Sequence, residues 1–290
     1  MNSTMVKTKK PDWLKVSIPS GDKYFRLKNK LNEKGLPTIC QSARCPNIGE
    51  CWNHNQATLL IMGSVCTRDC LFCSVPTGKP LALDGDEDQK VWQMAEVMDL
   101  SYLVVTSVTR DDLPDKGSNH IAKVIRLLKI KRPQMKVEVL VPDFSGDCRY
   151  LDHVLQADPD VLAHNLETVP GLYPRLNRQA GAYRHSLRIL EHSKKKGLLT
   201  KTGIMVGLGE TRSEIGELFK VFKAIGIDIL TIGQYLQPDS HCVPVDKYYS
   251  PQEFADLKEF AQSYGFAGVE SGPFVRSSYH AEELFKAVVN

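Results

Sequence analysis

The chain has 290 residues, 42% of them hydrophobic and 24% charged. These are ordinary values for a folded protein and exclude a disordered or collagen-like chain. The formal net charge of +3 is uneven, because residues 1–34 carry nine Lys/Arg against three Asp/Glu and the remaining residues carry 28 against 31. Apolar runs such as Leu59–Met62 fall far below the roughly 20 residues of a membrane-spanning helix. Lys7, Lys9, Lys10, Pro11 and Asp12 stand where a secretory signal needs an apolar stretch. The expectation is a cytoplasmic, reducing compartment, no membrane, and cysteines that are not paired as disulfides. The basic N-terminal segment reads either as a solubilising arm or as a surface for an acidic partner.

Taken in chain order, residues 1–58 precede any strand signal and form an N-terminal extension. It contains Cys40, Cys45 and Cys51, spaced C-x4-C-x5-C. A first strand is expected at Leu59–Met62. Directly after it come Cys66, Cys70 and Cys73, spaced C-x3-C-x2-C. Further short apolar runs at Leu103–Thr106, Val137–Val141, Val161–Ala163, Gly203–Val206 and Ile227–Ile232 suit parallel strands buried on both faces.

The intervening segments carry helical periodicity. Val91, Met94, Ala95 and Met98 follow an i, i+3, i+4, i+7 pattern, as do Ile121, Val124, Ile125 and Leu128, and Ile215, Leu218, Phe219 and Phe222. Thr211 with Glu214, and Ser250-Pro251 with Glu253, are capping-box signatures. Six β-then-α units predict a parallel α/β sheet over residues 59–264, either a partial barrel or doubly wound. In both, ligands bind at the carboxyl ends of the strands. Residues 265–290 form a C-terminal tail. The two extensions are expected to cover the open edge or mouth.

Three thiolates close together in a reducing compartment usually hold a metal. Structural zinc takes four ligands, commonly from paired C-x2-C knuckles, which neither group has. Cubane iron–sulfur clusters accept three or four cysteines. Zinc remains the alternative for each triad, more so for the first. Cys148 and Cys242 stand alone and read as small buried residues; His54, His120 and His280 read as surface or polar-contact histidines.

The C-x3-C-x2-C group, with Phe72 before its last cysteine and a strand just upstream, resembles the signature of the radical S-adenosylmethionine (SAM) superfamily. That resemblance implies a partial (β/α)6 TIM-like barrel. It also implies a 4Fe–4S cluster on Cys66, Cys70 and Cys73 with one iron open to SAM, and cleavage of SAM to a 5′-deoxyadenosyl radical. Thr106 and Ser107, ending the second strand, then sit where the superfamily binds the methionine amino group. Asn165 and Glu167, two apart in an extended segment, point the same way, which suits the two ribose hydroxyls. Met205 and Gly207 resemble part of the adenine-binding strand.

The strings Cys40-Gln41-Ser42-Ala43-Arg44-Cys45-Pro46-Asn47, Ile232-Gly233-Gln234-Tyr235-Leu236-Gln237-Pro238 and Gly272-Pro273-Phe274-Val275-Arg276-Ser277-Ser278-Tyr279 make the chain similar to the lipoyl synthase family from about residue 12 to 285. This implies a second, auxiliary 4Fe–4S cluster on Cys40, Cys45 and Cys51, completed by a tail serine and consumed as the sulfur source. Ser277 is the expected ligand, with Ser278 the alternative. The implied reaction inserts sulfur at carbons 6 and 8 of an octanoyl-lysine. Implied partners are octanoylated lipoyl carrier domains (2-oxoacid dehydrogenase E2 subunits, glycine cleavage H protein) and reduced ferredoxin or flavodoxin, with no nucleic acid. The stretch Asp239-Ser240-His241-Cys242 departs from the more basic sequence expected there, which puts carrier contacts in that loop in question. The competing readings are a paralogue with a different carrier, another two-cluster sulfur-inserting enzyme such as a methylthiotransferase, a cluster-bearing electron carrier, or a zinc-stabilised binding module.

Overall fold

The computed structural model describes residues 10–179 and 181–289. Lys7 and Lys9 of the basic arm therefore lie outside the described residues. Seven strands form one parallel sheet: β1 Thr58–Ile61, β2 Tyr102–Ser107, β3 Lys136–Leu140, β4 Val161–Ala163, β5 Leu199–Val206, β6 Ile229–Gln234 and β7 Gly268–Gly272. Each pairs with its neighbour in sequence, the pattern that successive β-α-β crossovers produce. Among the described residues no pairing joins β7 back to β1, so the barrel is open.

The helices in chain order are α1 Asp22–Lys34, α2 Ile39–Ser42, α3 Ile48–Asn53, α4 Glu87–Val97, α5 Ser118–Lys131, α6 Cys148–Leu155, α7 Ala182–Lys195, α8 Arg212–Ile225, α9 Pro251–Gln262 and α10 Ala281–Val289. The predicted apolar stripes of α4, α5 and α8 are buried: Val91, Met94, Ala95, Ile121, Val124, Ile125, Leu128, Ile215, Leu218, Phe219 and Phe222 all face the core. Burying one such side chain is worth about 1.5–3 kcal/mol. Both expected capping boxes form. Thr211 accepts from the backbone of Glu214 and Ser250 from that of Glu253, and each glutamate returns a bond to its cap.

Two departures from the expected pattern matter for the site. The barrel has a seventh strand, β7, within the segment expected to be a tail. Its sequence Gly-Val-Glu-Ser-Gly gives no apolar run. Its face is covered by α10, and a Cβ at Gly268 would come within 2.9 Å of Val288. Strand β5 also begins four residues before the expected Gly203, through Thr200-Lys201-Thr202. Lys201 is fully buried and pairs with Glu138 at 2.9 and 3.1 Å, and Tyr102 donates to the same carboxylate at 2.6 Å. β3 and β5 are separated by β4, so this ion pair spans the barrel interior.

The extensions cover the open side. Thr38 bridges Leu59 antiparallel, and Leu60 N donates to Pro37 O at 3.0 Å, which occupies the outer edge of β1. Trp52 is fully buried and stacks on Tyr24 with ring centroids 5.2 Å apart. From the other terminus, α10 sets Phe285 against Tyr102 at 5.6 Å. No helix among the described residues is long and apolar enough to cross a membrane.

Candidate functional site

A cavity of about 320 Å³ opens at the carboxyl ends of the strands. Cys66, Cys70 and Cys73 line it together with Thr106, Ser107, Asn165, Glu167 and Met205. Thus nearly all of the sequence-predicted SAM contacts converge. Gly207 does not line this cavity. Its φ is +101°, and a Cβ there would meet Gln234 Nε2 at 2.2 Å and Lys247 O at 2.5 Å. It is a glycine because the loop after β6 packs on its backbone.

The cysteine loop is closed by its own backbone: Cys66 N donates to Pro76 O and Gly78 N to Cys66 O. Arg68 N lies 3.4 Å from Cys66 Sγ and Val75 N 3.5 Å from Cys73 Sγ, donors suited to thiolates. Burial pushes the Cys70 thiol up to about 11 and the Cys73 thiol to about 12, so both need a bound cation to ionise at neutral pH. The hydroxyl of Ser107 is buried without a hydrogen-bond partner, a polar atom left over for a ligand. These features fit a thiolate-bound cluster with a polar cofactor beside it.

Arg68, inside the motif, pins the loop to two strand ends. It is bidentate to Asp111 at 2.7 and 3.1 Å and reaches Asp143 at 2.7 and 2.8 Å. Burial alone raises the Asp143 carboxyl, but the Arg68 hydrogen bonds and charge prevail and hold it at about 2. Glu167 adopts φ 73°, a costly value for a non-glycine residue. Strand β5 holds it there: Glu167 N donates to Gly203 O at 3.1 Å and Met205 N to Glu167 O at 2.7 Å. Burial pushes the Glu167 carboxyl upward, and Arg178 opposes this. His164 is driven down to about 4 by burial; it bonds Val141 O and Ser186 at 2.8 Å each and is structural.

The first triad lines a second cavity, of about 230 Å³, between the N-terminal extension and the tail. Thr38 caps α2, which carries Cys40; Cys51 lies on α3 and Cys45 between them. Burial and then the neighbouring Cys45 and Cys40 thiols push Cys51 up to about 12. Trp52 Nε1 is buried with no oxygen or nitrogen partner and favours the Cys40 thiolate. This donor set also suits a cluster. Among the described residues, no group of three or more His, Cys, Asp and Glu side chains forms a site for a single metal ion.

The tail reaches both cavities. Asn47 donates to Phe274 O at 2.7 Å, and Tyr279 donates to Glu50 at 3.2 Å. Gly233 in β6 lets the tail in, since a Cβ there would sit 2.1 Å from Val275 O. Arg276 lines both cavities. Of the two serines, with Ser277 the expected ligand and Ser278 the alternative, Ser278 lines the cavity of the first triad, whereas Ser277 donates to Asn165 at 2.8 Å. A tight turn, Tyr279 N to Arg276 O at 2.9 Å, sends these consecutive side chains to opposite sides.

The residue range 60–222 matches the model of the radical SAM superfamily, and residues 2–45 match that of the N-terminal domain of lipoyl synthase. The chain is 49% identical over 286 residues to a lipoyl synthase of Caldicellulosiruptor saccharolyticus, covering 98% of this chain and all of that one. It is also 49% identical to one from Myxococcus xanthus, covering 96% of this chain and 94% of the relative.

The chain belongs to the lipoyl synthase family.

It is therefore a radical SAM enzyme, and that membership carries SAM and a 4Fe–4S cluster. Solved structures share its fold. HydG, a maturase of FeFe-hydrogenase, aligns at a TM-score of 0.60 and 12% identity over 94% of this chain and 72% of that one. Methylornithine synthase aligns at 0.56 and 13% over 88% and 79%. Within the family frame, the sequence reading missed Arg68 with its two aspartates, and it gave Arg276 to the first triad alone, whereas that side chain lines both cavities. Arg68 was available to it, since a lone arginine inside a cysteine motif needs a counter-charge and Asp111 stands at the next strand end. The residues it set aside have quiet roles: Cys242 Sγ lies 3.6 Å from Cys73 O, His120 bonds Glu87 at 2.6 Å, His54 bonds Glu50 O, and His280 stacks on Tyr279.

Proposed function

We propose that Cys66, Cys70 and Cys73 hold the SAM-cleaving cluster. In this reading Cys40, Cys45, Cys51 and Ser278 hold a second, sulfur-donating cluster, and the product is the lipoyl cofactor on a carrier domain. The observation that carries this is the pair of separate thiol cavities joined by one tail segment, residues 276–278. When bound, SAM and its cluster supply a one-electron cleavage whose carbon radical can open unactivated C–H bonds, which no side-chain acid or base can do.

The residues of this chain do the rest. Thr106 and Ser107 offer hydroxyls to the methionine end of SAM, and Asn165 with Glu167 takes the ribose. Arg68 holds the cysteine loop at a fixed depth against the ends of β2 and β3. Arg276, between the cavities, offsets negative charge on either side. Ser278 gives the first site an oxygen ligand, a harder donor than thiolate and a weaker hold on iron(II), consistent with a cluster that must come apart. The extensions close over the mouth and keep water from reactive intermediates. Octanoylated carrier domains of 2-oxoacid dehydrogenase E2 subunits or the glycine cleavage H protein present the substrate, and reduced ferredoxin or flavodoxin supplies the electron.

An anaerobic assay with SAM, a reductant and an octanoyl-lysine peptide, read by mass spectrometry, tests this. The expected result is exchange of two hydrogens for two sulfurs, with two 5′-deoxyadenosines per lipoyl group. Deoxyadenosine without any sulfur-containing product would overturn the assignment of the first triad.

A further inference from the structure

Ser277 has no place at the first cavity, yet it is not idle. Its hydroxyl donates to Asn165 Oδ1 at 2.8 Å across a sequence separation of 112 residues. Room for this contact is built into the sheet. At Gly203 in β5, a Cβ would come within 2.9 Å of Asn165 Oδ1, 3.3 Å of Ser277 Oγ and 2.6 Å of Thr231 Oγ1. A side chain there would displace the pair.

A side-chain amide has two ends of opposite polarity, and its partners decide which end faces where. With Oδ1 taken by the Ser277 hydroxyl, the Asn165 NH2 group is the end turned to its other neighbours. Glu167 lies two residues along the same segment. Asn165 and Glu167 both line the strand-end cavity. The tail thus reaches the strand-end cavity through the Asn165 side chain.

We propose that Ser277 is a positioning residue for SAM: by holding the Asn165 amide in one orientation, it sets the Asn165–Glu167 pair against the ribose hydroxyls. This rests on the reading that the strand-end cavity takes SAM. It gives the two serines different tasks, Ser278 for the first cavity and Ser277 for the second.

The test is SAM binding to the anaerobically reconstituted full chain, by equilibrium dialysis, combined with steady-state 5′-deoxyadenosine formation. Loss of one net hydrogen bond weakens binding about fivefold. Ser277→Ala should therefore raise the SAM dissociation constant and KM about fivefold, with kcat at saturating SAM nearly unchanged. Asn165→Ala approaches the same bond from its other side, and the double variant should bind no more weakly than Asn165→Ala alone. Thermal unfolding of the cluster-free Ser277→Ala chain should match the parent, which separates positioning from general stability. If the parent chain fails to bind SAM, the assignment of the cavity falls. If the parent binds and Ser277→Ala binds equally well, or its effect adds in full to that of Asn165→Ala, the role of Ser277 falls while the cavity assignment stands.

Discussion

The two cysteine triads rest on different kinds of scaffold. Cys66, Cys70 and Cys73 lie on one eight-residue stretch, closed by its own backbone bonds and pinned by Arg68 to two strands of the barrel. Cys40, Cys45 and Cys51 lie on and between helices of four and six residues, too short to persist alone. Their cavity is walled by a tail more than 200 residues away in sequence. One site is local and rigid, whereas the other exists only when both ends of the chain meet. A cluster kept through every turnover suits the first kind of scaffold. A cluster dismantled for its sulfur suits the second.

The largest effects should separate the two sites cleanly. Cys66→Ala, Cys70→Ala or Cys73→Ala should abolish 5′-deoxyadenosine formation, whereas Cys40→Ala, Cys45→Ala or Cys51→Ala should spare it and stop sulfur insertion. Chromatographic assay of both products checks this; normal deoxyadenosine from Cys70→Ala would erase the distinction. Next, Ser278→Ala should lower lipoyl formation by roughly 10- to 100-fold, the range seen when metal sites are disturbed, with SAM cleavage retained. An unchanged rate would make the tail only a lid.

The interior ion pair between β3 and β5 lines neither cavity and serves as a control. Glu138→Gln leaves the Lys201 ammonium buried without a counter-charge and should cost about 3–5 kcal/mol of stability, measured by urea unfolding of the cluster-free chain. It should impair both sites together. A smaller, site-specific effect belongs to Asp143. Its folded carboxyl sits at about 2, below the ordinary value of 3.8. That difference contributes about 2 kcal/mol, present above pH 4 and lost as pH falls through 2. Asp143→Asn should thus be less stable than the parent at pH 7, with the gap narrowing toward pH 2. A gap independent of pH would mean that the Arg68 bridge does not set it.

Much of this was legible in the sequence for physical reasons. Parallel strands buried on both faces must be apolar, so β1 through β4 stand out as short runs. Thiolates must be closely spaced to share a cluster, so both triads do too. The misses share one cause, compensation by a distant partner. Lys201 masks the start of β5 because its charge is balanced by Glu138, 63 residues away. The residues of β7 look like a turn because α10 supplies the apolar surface that the strand lacks. Ser277 and Ser278 are identical in chemistry and adjacent in sequence. Only the turn at Arg276–Tyr279 sends one to Asn165 and the other to the cavity that Cys40, Cys45 and Cys51 line.

The bridge between Thr38 and Leu59, with Pro37 O accepting from Leu60 N, has a consequence beyond catalysis. An open barrel has two raw edges, and an unpaired edge strand is a template on which another chain can add. Here the cover of β1, Pro37 and Thr38, runs directly into the helix that carries Cys40. The segment that shields the edge is thus continuous with the segment that carries the first triad, so a change that displaces that triad would also uncover the edge.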